Sequence, residues 1–186
     1  MKHCLVCIGA SWGHEVYVRL WQPPGVQYRS VSNDPVLSPP LTSVLGEQEW
    51  RYIFFLNWSE ILPERVTSAF ECVNFHCTPL PFGRGGHPIE NLLLRGHTET
   101  VITAHRMTAD IDTGPMYGRR GPVSLAGTKD EILARFVEPV SELMRRIVET
   151  EPTPIPQVGE VVRFQRLTPE SYEAFWQTRL ESMKHV

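Results

Sequence analysis

The chain has 186 residues, 41% hydrophobic and 21% charged, an ordinary soluble composition with enough length to bury one sizeable core. A formal net charge of −3 argues against a nucleic-acid surface as the main partner. No apolar run is long enough to span a bilayer, so no membrane is expected either.

The N-terminal MKHCLVCIGASWGH has a brief apolar core that runs on into a helical segment. It reads as a first strand, His3 to Ala10, rather than a signal peptide. Cys4 and Cys7 form a C-x-x-C, but on a strand they point to opposite faces, and no second pair follows. With Cys72 and Cys77 they are expected to be buried thiols in a reducing, cytoplasmic setting. His14, His87, His97 and His105 lack metal-ligand spacing and read as structural or surface residues, so no metal is expected. Gly9 and Gly13 lack the dinucleotide fingerprint.

A helix is expected from His14 to Trp21, ended by Pro23-Pro24-Gly25, then a strand over Val26 to Ser32. Asp34 to Gly46, with three prolines, reads as a loop. Arg51 to Leu56 is a strongly apolar third strand, after which Ser59 can cap a short helix to about Phe70. Cys72 to Cys77 is strand four. His87 to Arg95 has helical spacing and stops at Gly96; Glu99 to Met107 alternates as a fifth strand; Met116 to Leu125 is another, interrupted by Gly118 and Gly121. Thr128 and Glu131 form a capping-box pattern opening the longest helix, to about Glu149, with Pro139 inside it. Pro152, Pro154 and Pro156 give an extended linker, Gly159 to Leu167 a strand or hairpin, and Pro169 a terminal helix with Tyr172, Phe175 and Trp176 on one face. Strands alternating with helices predict a doubly wound α/β fold with a mostly parallel sheet and a short C-terminal hairpin and helix extension. Residues 1–150 would form the catalytic unit, and 151–186 the linker and an extension packed on it.

Asn74 and His76 lie two apart on a strand and so share a face, near the strand's carboxyl end, where ligands of such sheets bind. Asp112 follows a later strand in a tight Asp-Thr-Gly turn and can converge on the same rim, with Asp110 competing for the third place. Amide, imidazole and carboxylate are what acyl transfer to an amine requires: an oxyanion donor, a proton carrier and a group that orients the ring. An acidic neighbour would raise the His76 pKa and leave it partly imidazolium near neutral pH, and the sequence does not choose between proton shuttle and charged oxyanion donor. The loop PFGRGGHP brings Arg84, Gly85 and Gly86 to a helix start; it reads equally as an anion holder and as a turn with a solvated arginine.

Asn74-x-His76, the Pro- and Gly-containing loop, a helix, a strand carrying Thr103, then Asp112-x-Gly114 resembles the formyltransferase family, which uses N10-formyltetrahydrofolate. The run FFLNWSEILPERV, Phe54 to Val66, is similar to the family's folate-side strand and loop, so the resemblance covers roughly residues 50–125. It implies a Rossmann-like topology and Asn74, His76 and Asp112 as the catalytic set. The co-substrate N10-formyltetrahydrofolate would lie on Trp58, Ile61, Leu62 and Pro63 and on the backbone of Ala109, Asp110, Ile111 and Asp112. The acceptor would meet Thr78, Arg84, Gly85 and Gly86, with Thr103 as a supporting hydroxyl. Cys77 and Thr78 depart from the small residue and serine of many members. The loop and the FFLNWSEILP run look closer to compact sugar N-formyltransferases, which implies a nucleotide-linked aminodeoxysugar as the small-molecule amine acceptor. The stretch after the proline linker is too short for a separate tRNA-binding core, which together with the acidic balance disfavours tRNA. An amino acid or peptide amine, and a non-catalytic folate-binding relative, are the alternatives. A homodimer is left open.

Overall fold

The computed structural model describes residues 1–9, 11–19, 23–32, 41–58 and 60–184. Its centre is β1 (Lys2–Ile8), whose last five residues are buried, beside β3 (Tyr52–Leu56), buried throughout. Such unbroken apolar runs belong to strands covered on both faces. The remaining members of this sheet are β2 (Val26–Ser32), β4 (Cys72–His76), β6 (Glu99–Arg106) and β7 (Met116–Ser124), in the order β2-β1-β3-β4-β6-β7. Strands β2, β1, β3 and β4 are parallel to one another; β6 runs against both β4 and β7. The sheet is therefore mostly parallel, as the sequence predicts, with one reversed strand.

Period-two alternation along β1 divides the core. Cys4, Val6 and Ile8 join Tyr52, Phe54 and the apolar face of α5 (Lys129–Thr150) on one side. Leu5 and Cys7 join Ile53, Phe55, Val66 and Cys72 on the other. The two thiols of the C-x-x-C are thus buried, free and on opposite faces of the sheet. Helix α1 (Ser11–Arg19) packs against α5 (Lys129–Thr150). Helix α5 has the predicted capping box, with Thr128 accepting from the Glu131 N–H and Glu131 reaching back to the Thr128 N–H. Its buried Ile132, Phe136, Val140, Leu143, Met144 and Ile147 recur at helical spacing.

Several expectations are corrected. Within the expected loop, Leu41–Leu45 forms α2, because Val44 and Leu45 bury against the sheet; Ala10, Trp21 and positions 33–40 lie outside the described residues. Ser59, expected as a helix cap, also lies outside them, and the helix there, α3 (Glu64–Ala69), begins only after Pro63. The glycine loop contains a strand, β5 (Phe82–Gly85), before α4 (Pro88–Leu94). The C-terminal segment is not a hairpin: β8 (Val162–Phe164) pairs in parallel with β5, and α6 (Pro169–Met183) follows. The proline stretch is tied down as well, since Ile155 and Met116 exchange backbone hydrogen bonds of 2.7 and 2.9 Å. Among the described residues no helix is long and apolar enough to cross a membrane.

Candidate active site

In the order β2-β1-β3-β4 the chain leaves β1 to one side and returns on the other, so a crevice is expected beyond the carboxyl ends of β1 and β3. A cavity of about 650 Å³ lies there, lined by Trp12 of α1, Asn57 and Trp58 after β3, and Asn74 and His76 of β4. That is the size of a small-ligand site. Gly9 fits this corner because a Cβ would sit 2.0 Å from the Asn57 carbonyl oxygen. A shallower depression of about 400 Å³ beside Arg120 and Arg135 contains none of the predicted site residues.

The cavity brings together Asn74, His76 and Asp112. The Asn74 amide has no hydrogen-bond partner among the described residues, although the residue is half-buried. His76 is buried, and its Nε2 lies 2.8 Å from the Gly83 carbonyl oxygen. A carbonyl only accepts, so Nε2 carries the hydrogen, and in the neutral ring Nδ1 is left bare. That nitrogen lies 3.6 Å from Asp112 Oδ2. The Gly83 carbonyl also accepts from Thr78 at 3.3 Å, while Thr103 donates to the Thr78 carbonyl at 2.6 Å. Thr78 and Thr103 therefore stand behind His76, fully buried and away from the cavity wall.

Asp112 reaches this position in the left-handed region, with φ 55°, in a turn where Gly114 is required: a Cβ there would meet the Arg106 carbonyl oxygen at 1.9 Å. Its Oδ2 accepts the Gly85 N–H at 2.9 Å. The second oxygen faces a residue read as structural or surface from the sequence: His105 Nε2 lies 3.4 Å from Oδ1. His105 is almost wholly buried and lines the cavity, its Nδ1 donating to the Arg106 carbonyl at 3.0 Å. What brings it to the site is the register of β6 against β4. His105 pairs with Asn74 and Thr103 with His76 across the antiparallel ladder, which places all four side chains on one face.

Burial alone would raise the Asp112 carboxyl, but His76, His105 and the Gly85 N–H outweigh it and hold it well below the usual carboxylate range. His76 moves opposite to expectation. Burial dominates and lowers its pKa, against the raising influence of Asp112 and the Gly83 carbonyl. Removal from water favours the neutral ring, while the ionised Asp112 beside it stabilises the cation formed when the ring accepts a proton.

Of the other predicted contacts, Trp58, Ile61, Leu62, Ala109, Asp110 and Ile111 line the cavity, whereas Pro63 does not and instead precedes α3. Ile61 and Ile111 are exposed. Trp58 packs edge-on against Phe55. Gly85 and Gly86 line the cavity and Arg84 does not: its Nε and Nη2 donate to Gln157 Oε1 at 3.1 and 2.7 Å. Gln157 in turn donates to the Asp112 and Gly114 carbonyls at 2.9 and 2.8 Å. The arginine expected to meet solvent or an anion thus braces the Asp112 turn. Among the described residues, the buried side-chain nitrogens without a partner belong to Trp12, Trp58 and His105, and all three residues line this cavity. Unsatisfied buried nitrogens of this kind, the two indole N–H groups donors, suit a ligand with ring nitrogens and carbonyls, such as a pterin.

These features define a Rossmann-like α/β protein with a polar triad at the switch point of its sheet. The family model described as formyl transferase matches residues 27–155, and the chain belongs to that family. It is 38% identical over 110 residues to a methionyl-tRNA formyltransferase of Sorangium cellulosum (strain So ce56), covering 55% of this chain and 35% of that one. The chain spans about a third of the length of this relative. A solved methionyl-tRNA formyltransferase from Clostridium thermocellum superposes with a TM-score of 0.81 at 31% identity, over 91% of this chain and 74% of that one. The fold also matches an N-formyltransferase from Helicobacter canadensis solved with folinic acid and dTDP-3-aminofucose, with a TM-score of 0.65 at 16% identity, over 90% of this chain and 73% of that one.

Proposed function

We propose that the chain transfers a formyl group from N10-formyltetrahydrofolate to the primary amine of a small acceptor, a nucleotide-linked aminodeoxysugar. The observation that carries this is Asp112 Oδ2 lying 3.6 Å from His76 Nδ1 in the cavity that also receives the unpartnered Asn74 amide. Residues 1–186 act as one unit in this reading, since Phe164 and Trp176 of the C-terminal segment share a hydrophobic cluster with the sheet.

Each residue has a distinct part. Trp58, Leu62 and the Ala109–Asp112 backbone hold the co-substrate, which supplies the electrophilic formyl carbon. As the amine adds, the Asn74 amide donates to the developing oxyanion, an interaction typically contributing about 3 kcal/mol in the transition state. His76 Nδ1 takes the proton the amine loses, and Asp112 stabilises the resulting imidazolium. When the C–N10 bond breaks, His76 returns that proton to N10, so the new amide and tetrahydrofolate leave with charge balanced.

The nucleotide-sugar acceptor is supported by the fold shared with the Helicobacter canadensis protein, whose structure holds such a compound. A methionyl-tRNA acceptor is favoured by the higher identity to proteins so named. Amino acid or peptide amines, and folate binding without turnover, remain as further readings. Tetrahydrofolate release measured with nucleotide amino sugars, charged initiator tRNA, and amino acid or peptide amines separates them. Release with a nucleotide amino sugar alone supports the proposal. Release only with tRNA, or folate binding without release from any amine, overturns it.

A further inference from the structure

With Arg84 turned away, the anion-binding part of an acceptor site must lie elsewhere. Also lining this cavity, His87 and Tyr172 pack together with ring centres 4.7 Å apart and planes inclined by 38°. His87 is held in the left-handed region (φ 48°) as the residue before α4, and its Nδ1 accepts the Leu167 N–H at 2.9 Å, so the C-terminal segment fixes this ring. Lys129, the first residue of α5, places Nζ 5.0 Å above the Tyr172 ring. Arg166 lies against Gly86, where a Cβ would come within 2.9 Å of its own. Neither Lys129 nor Arg166 has an ion pair or a hydrogen bond among the described residues, and both line the cavity.

A third charge completes the group. Glu90 is buried at 4% exposure, lines the cavity, and accepts the Trp176 indole N–H on Oε1 at 2.8 Å, leaving Oε2 without a donor among the described residues. A buried carboxylate with half its capacity unused asks for further donors. Arg166 against Gly86, Lys129 over the Tyr172 ring that packs on His87, and Glu90 in the first turn of α4 all neighbour His87. Asp130 also lines this wall and opposes a long polyanion.

We infer that His87, Tyr172, Lys129, Arg166 and Glu90 form the acceptor-specificity subsite, built for a nucleoside diphosphate. The two cations hold the diphosphate, Lys129 from its place over the Tyr172 ring, while the base lies against the edge of the His87–Tyr172 pair and Glu90 Oε2 accepts from ribose or sugar hydroxyls. Two cations match one diphosphate, and the acids beside them disfavour a nucleic acid. This inference rests on the proposed function for its placement next to the reacting amine.

The test uses the full chain and titration calorimetry with uridine diphosphate, guanosine diphosphate, inorganic pyrophosphate and a CCA trinucleotide, with 5-formyltetrahydrofolate binding measured in parallel. One of the diphosphates is expected to bind the wild type at least tenfold more tightly than Lys129→Ala/Arg166→Ala. Tyr172→Leu and Glu90→Gln should weaken that nucleotide severalfold and leave pyrophosphate unchanged; Glu90→Gln keeps the acceptor for Trp176. Thermal melts verify that each variant is folded. Equal nucleotide affinity in the wild type and the double variant, no nucleotide binding to the wild type, or tighter binding of the trinucleotide overturns the inference. Loss of 5-formyltetrahydrofolate binding by the wild type would instead sink the proposed reaction and leave the nucleotide result legible.

Discussion

The two ends of the cavity are built on different physics. At the inner end His76 is fixed by the Gly83 carbonyl, Asp112 by the Gly85 N–H, and the Asp112 turn by the Gln157 side chain, while among the described residues the Asn74 amide and one nitrogen each of Trp12, Trp58 and His105 have no hydrogen-bond partner. At the mouth, Lys129 and Arg166 extend from element ends with no ion pair among the described residues. Preorganised dipoles in a buried site lower a barrier because they need no reorganisation as charge develops. Long, solvated cations select a ligand and contribute little to its chemistry. Changes at the inner end should therefore alter turnover, and changes at the mouth acceptor affinity.

The largest effect is expected from Asp112→Asn. The amide keeps the shape and can still accept the Gly85 N–H, so the variant folds, while the imidazolium loses its countercharge. A fall in kcat of about a thousandfold is expected, with 5-formyltetrahydrofolate affinity within about threefold of wild type. Full turnover in a folded variant would remove Asp112 from the reaction.

The acid limb of activity provides a sharper comparison. Burial lowers His76 from the 6.5 of a free imidazole, so the folded chain binds that proton less readily than the unfolded one. The corresponding stability is fully present above about pH 6.5 and is lost as pH falls through that value toward the folded pKa. The kcat/KM should decline over the same range, since Nδ1 must be bare to accept a proton. In Asp112→Asn the limb should move to still lower pH, because the group that favours the imidazolium is gone. A limb that moves upward would contradict the pairing.

Gln157→Ala tests whether the turn must be held. Loss of its bonds to the Asp112 and Gly114 carbonyls should lower kcat about tenfold while leaving both KM values near wild type, because small displacements of a reacting group are costly. Restoration by Gln157→Glu is not expected, as a carboxylate cannot donate to those carbonyls. An increase in acceptor KM with kcat intact would place the Arg84–Gln157 pair in binding instead.

The inner end was the more legible of the two in the sequence, for a physical reason. Asn74 and His76 are two residues apart on an apolar strand, and the sharp Asp-Thr-Gly turn marks Asp112, so local periodicity and turn chemistry are enough to nominate them. His105 was hidden because its role depends on the register of β6 against β4, which alternation alone does not supply. Arg84 misled because glycines on either side resemble an anion loop, whereas Gln157, far along the chain, claims its guanidinium. The mouth combines residues from α4, α5, the segment after β8, and α6. Their proximity follows from the parallel pairing of β8 with β5, a long-range choice with no local signal in a three-residue strand.

The smallest effect tests whether the two ends are separable. Thr128 accepts the Glu131 N–H at 3.3 Å and starts α5 one residue before Lys129. Thr128→Ala should cost about 1 kcal/mol of stability, the usual value of a lost N-cap. Fraying of that turn frees Lys129 from its position over Tyr172, so nucleotide affinity should fall about twofold. The inner end is held by other elements, and the pH limb of kcat/KM should not move. A shifted limb would show that the start of α5 positions His76 as well, and that the mouth and the reacting centre form one cooperative unit.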